Sequence, residues 1–103
     1  MKQENNHIAN MQDLQQKCSL ITNSDYERLH YTNRFRGITE MMFYEMGSAH
    51  ITNGVNANFV REMIPHHEGV VRMSNNVLQF NTCPMLKPIL YAIITSIGEV
   101  SNK

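Results

Sequence analysis

The chain has 103 residues, 42% hydrophobic and 17% charged, which suits one domain around one modest core and excludes a disordered tail. Lys plus Arg and Asp plus Glu number 9 each and are scattered, which argues against the concentrated positive stripe that nucleic acid or an anionic membrane surface requires. No stretch approaches the ~20 apolar residues of a membrane span.

The first predicted helix runs roughly from Glu4 to Leu20. Ile8, Met11, Leu14, Cys18 and Ile21 recur at steps of three and four, giving one apolar stripe. The rest of the segment is rich in Asn and Gln, so the stripe must dock against something to persist. Thr22, Asn23, Ser24 and Asp25 then offer a turn and an N-cap, with Glu27 in the first turn beyond.

The second helix is predicted from Asp25 or Tyr26 to about Gly47. Tyr31, Phe35, Ile38, Met42 and Met46 share one face. Gly37 lies inside and weakens the helix by about 1 kcal/mol relative to Ala. The third helix is predicted from Asn56 or Asn58 to Phe80, with Pro65 inside it. That proline lacks a donor for the Arg61 carbonyl and predicts a kink beside His66 and His67. Residues 81–84 break the chain, and a fourth helix starts between Pro84 and Pro88 with Leu86, Leu90, Ile93, Ile97 and Val100 as its stripe. Four amphipathic helices on short joints, with no alternating run, predict an all-α, up-down four-helix bundle as a single domain.

Cys18 and Cys83 are the two cysteines and form no CxxC pair. Two buried thiols, or a disulfide in an oxidising compartment, both fit. The beginning MKQENNHIANMQDLQQK is polar and lacks the apolar centre of a leader. The expectation is a cytoplasmic protein as written, or an extracytoplasmic one if a leader has been removed.

The chain carries 8 Met and 5 His. Met is either adaptable core filler or a thioether ligand for soft ions, and placement decides between them. In FVREMIPHHEGVVRMS, residues 59–74, a step of about 100° per residue puts Met63, His66, His67, Val70 and Met73 within roughly 120° of one another. Two imidazoles and two thioethers thus share a face. On the second helix Met42 and Met46 share the apolar stripe, and His50 follows four residues later. Such groups suit Cu(I) and similar soft ions, while imidazoles alone suit Zn(II), Cu(II) or Ni(II). A Met stripe by itself also fits ordinary packing, and a His pair can be structural if each ring finds a partner. The chain has no HExxH, no GxSxG, no P-loop and no GxGxxG, so no enzyme class is indicated.

MIPHHEGVVRMS resembles the signature of domain-of-unknown-function family 305, whose members carry Met-x-Pro-His-His-x-Gly-Ala-x-x-Met-Ala. Met63, Pro65, His66, His67, Gly69 and Met73 match, while Val70 and Ser74 stand where Ala is usual. Phe59 and LKPILYAIITSIGEV extend the similarity over about residues 56–100, with a family-like core from about 25 to 100. Ile97 departs from the Gln that members often carry there. The resemblance implies a ferritin-like helical bundle. Copper-binding metallochaperones of the CopM type among the relatives imply metal roles for Met63, His66, His67 and Met73.

The sequence therefore reads as a non-enzymatic bundle holding Cu(I) or Ag(I), with zinc less favoured, for buffering or transfer. Met63, His66, His67 and Met73 are the expected ligands, with Met42, Met46 and His50 as additional candidates. The alternative is a helical interaction module with a structural His pair. A homodimer is expected, because four short helices leave apolar surface to cover.

Overall fold

The computed structural model describes residues 11–101, and for residues 97–101 it describes the backbone only. Helices are the only regular elements among the described residues. The protein is an all-α four-helix bundle: α1 (residues 11–18), α2 (Asp25–Gly47), α3 (Val55–Leu78) and α4 (Lys87–Ser101). The expected start of the first helix, at Glu4, lies outside the described residues.

Local chemistry sets the boundaries. Ser24 is extended and accepts the Glu27 backbone N–H at 3.1 Å, while the Glu27 carboxylate accepts the Ser24 N–H at 3.2 Å. This reciprocal capping box satisfies two donors that the start of a helix leaves free. Between α2 and α3, Asn58 reaches back across the turn. Its side-chain oxygen accepts the Thr52 N–H at 2.7 Å, and its amide donates to the Thr52 carbonyl at 2.9 Å. Thr52 Oγ1 in turn accepts the Gly54 N–H at 3.2 Å. Thus Thr52 and Asn58 fix the entry into α3, where Gly54 offers no side chain to cap it.

α3 continues as one helix through Pro65, so it neither stops there nor begins there. At the next joint the Leu86 and Lys87 amides both donate to the Cys83 carbonyl, at 2.9 and 3.2 Å. α4 then begins with Pro88 in its first turn, where the missing donor costs little.

α2 and α3 run antiparallel, as the cross-helix pairs show. The Asn76 amide donates to the Tyr31 carbonyl at 3.2 Å, Arg34 donates to Gln79, and Met42 meets Gly69. α3 packs on both α2 and α4, which do not approach each other among the described residues. A disulfide between Cys18 and Cys83, with Cα atoms 5.5 Å apart, ties the end of α1 to the α3–α4 joint. Buried Thr82 closes that joint by donating to the Val77 and Phe80 carbonyls. Phe80 sits edge-on to His30 and Tyr31, with ring centroids 6.0 and 6.1 Å away.

The core is small. Met42, Cys83 and Leu90 are the buried hydrophobic residues among those described. Of the stripe expected on α2, Met42 is buried, Ile38 and Met46 are half-buried, and Tyr31 and Phe35 are exposed. Of that on α4, Leu90 is buried and Leu86 and Ile93 are half-buried.

Candidate metal site

The site is built around the closest approach of α2 to α3. A Cβ placed on Gly69 would lie 2.5 Å from the Met42 sulfur, 2.9 Å from its Cγ and 3.2 Å from its Cβ. Only a residue without a side chain lets Met42 in, so Gly69 is a notch and Met42 is its occupant. Pro65, Gly69 and Asn76 are buried, and Arg72 lies at the edge of the same side. Their steps of four, three and four make one stripe turned to α2.

The expected inward stripe on α3 sits beside this one. Met63, His66, His67, Val70 and Met73 are all half-buried. The smallest residue marks the crossing. His66 lies three residues before Gly69 and Met73 four after, so both share the face on which the Met42 thioether is seated.

The two imidazoles are neighbours in space as well as in sequence. The His66 and His67 ring centroids are 6.0 Å apart, with planes at 64°. With about 2.0 Å per metal–nitrogen bond, two rings sharing one ion have centroids no more than about 6.4 Å apart. The pair is within that reach. His66 Nδ1 is buried and has no hydrogen-bond partner, which is costly for a ring nitrogen unless something else engages it.

The other candidates fall in different places. Met46 is half-buried, one helical turn beyond Met42 on the same face of α2. His50 is exposed, just past the end of α2. It lines a shallow depression with Tyr44, Glu45, Arg61, Ile64 and Pro65, to which Met63, His66, His67 and Met73 contribute nothing. Met41 is 51% exposed, and its sulfur accepts a hydrogen bond from Arg72 at 3.2 Å. Arg72 also approaches Glu45 at 3.8 Å, a solvated pair worth less than about 1 kcal/mol.

Two features of this arrangement were not read from sequence. The notch at Gly69 is visible only with its occupant, although a glycine in a helix interior opposite a Met stripe is the available signal. The sequence leaves the Cys18–Cys83 bridge open against two buried thiols, because 65 residues separate its ends and no local pattern chooses between them.

Among the described residues, no three His, Cys, Asp or Glu side chains group closely enough to hold a metal ion on their own. The family model described as Domain of unknown function (DUF305) matches residues 1–100, which include the whole Met/His segment. No curated protein and no solved structure matches the chain.

Proposed function

The chain belongs to the DUF305 family, and we propose that it binds a soft transition-metal ion, Cu(I) or Ag(I), through thioether and imidazole groups on α3 and α2. The observation that carries this reading is the partnerless, buried Nδ1 of His66, one turn from the Gly69 notch that seats the Met42 sulfur. His67 is within sharing distance of the same ion. Met63 and Met73 extend the donor set along that face, and Met46 adds a further thioether on α2. His50 is the weakest member of the set, since it lines a different depression.

Donor chemistry supports a soft ion over zinc. Zn(II) sites use three or four His, Cys or carboxylate ligands, and no such group occurs among the described residues. Cu(I) and Ag(I) accept thioethers. The role proposed for that ion is buffering or transfer. The Cys18–Cys83 bridge takes both thiols out of competition for the ion. It also favours an oxidising compartment, where such bridges persist.

X-ray absorption on the Cu(I)-loaded protein tests the ligand set. The proposal predicts sulfur and nitrogen scatterers together in the first coordination sphere. A shell of nitrogen alone would remove the thioethers from it.

A second reading keeps the protein a helical interaction module with a structural His pair. It is favoured by the amount of apolar surface the fold leaves exposed.

A further inference from the structure

Exposure falls along one stripe of α3. Val55 is 81% and Phe59 59% exposed, whereas Met63, His66, Val70 and Met73 are half-buried. Steps of four, four, three, four and three put all six on one side of the helix. The stripe is covered at one end and bare at the end where the chain turns from α2 into α3. Ile51 in that turn is 74% exposed, and Phe43 in the last part of α2 is 64% exposed.

We infer that a second copy of the chain docks over this end of the bundle, burying Phe43, Ile51, Val55 and Phe59 in a two-fold symmetric interface. The inference stands apart from the metal proposal and holds or fails without it.

The area is of the right size. At their observed exposures the four side chains present roughly 450 Å² of apolar surface, taking about 200 Å² for a whole aromatic side chain. A standard interface covers about 800 Å² on each partner, a little over half of it apolar. These four residues alone supply that apolar share.

Residues 1–10, MKQENNHIAN, carry only Met1, Ile8 and Ala9 as apolar groups, so they offer little to cover such a patch. Charge favours a like partner. With 9 acidic and 9 basic residues, two copies carry no net repulsion. A two-fold axis presents the same apolar patch twice, so each copy covers the other's.

Sedimentation velocity on the full chain across a concentration series, with no metal added, tests the inference. The parent should show a reversible monomer–dimer equilibrium. Phe43→Ser with Phe59→Ser should raise the dimer dissociation constant roughly tenfold or more, and Ile51→Ser with Val55→Ser should do so independently. All four side chains are exposed, so helical circular dichroism should be unchanged in both variants. A parent that is monomeric at every soluble concentration would overturn the inference. So would a dimer that neither variant weakens. Hydroxyl-radical footprinting supplies the remaining outcome: Phe59 protected in a monomer would assign the cover to the chain itself and also reject the second copy.

Discussion

Met42 and Gly69 meet where α2 crosses α3, so closely that a Cβ on the glycine would lie 2.5 Å from the Met42 sulfur. The contact involves the base of the Met side chain as well as its tip, since Met42 Cβ would be only 3.2 Å away. Rotation of the thioether alone cannot relieve it.

Gly69→Ala should therefore destabilise the protein by about 1–3 kcal/mol, the usual cost of overpacking. The gain in helix propensity from Ala, about 1 kcal/mol at most, offsets only part of this. Met42→Ala should lose packing by itself yet make room for the methyl group that Gly69→Ala adds. The double variant should then be more stable than the sum of the single losses predicts. Urea midpoints for the four proteins check this, and strict additivity would mean that the two residues do not meet.

Gly37 is the control. It is exposed within α2, and a Cβ there would meet nothing within 4 Å. Gly37→Ala should raise stability by about 0.5–1 kcal/mol, through helix propensity alone. Two Gly→Ala changes in helix interiors thus carry opposite signs, and denaturant titration of both reads the difference directly.

The Cys18–Cys83 bridge closes a loop spanning 65 residues of sequence. Chain-entropy arguments give such a crosslink about 4 kcal/mol, a large share of the total stability of a domain this size. Cys18→Ser with Cys83→Ser should lower the urea midpoint substantially, and reductant should do the same to the parent and nothing to the variant. A parent indifferent to reductant would show that the bridge contributes no stability.

Much of the fold was legible because it is written locally. The run from Ser24 to Glu27 specifies a capping box, and α2 begins at Asp25 and ends at Gly47 as its flanking residues imply. Pro84 and Pro88 bracket the start of the fourth helix, and α4 begins at Lys87, beside Pro88. What periodicity could not supply was the angular setting of α3. Met63, His66, His67, Val70 and Met73 form the stripe that hydrophobicity selects, yet Pro65, Gly69 and Asn76 face α2. Closest approach is decided by the smallest side chain, and only the partner helix reveals which one that is. The site was legible as a set of residues in MIPHHEGVVRMS and not as a geometry. His50 illustrates the limit, because its four-residue step from Met46 continues a helix that has already ended at Gly47.

If thioether and imidazole groups flanking the Met42–Gly69 crossing hold a soft ion, competition titration of the protein against a Cu(I) chelator will read it without intermediaries. The parent should hold Cu(I) at a whole-number ratio. Met63→Leu with Met73→Leu should weaken Cu(I) binding and leave the helical spectrum intact, because Leu nearly conserves the volume of Met. His66→Asn with His67→Asn should weaken Cu(I) and any residual Zn(II) or Cu(II) binding alike, since those ions rely on imidazole. A parent that takes up neither Cu(I) nor Ag(I) stoichiometrically, together with His variants that lose stability, would contradict the proposal and leave the His pair a structural one.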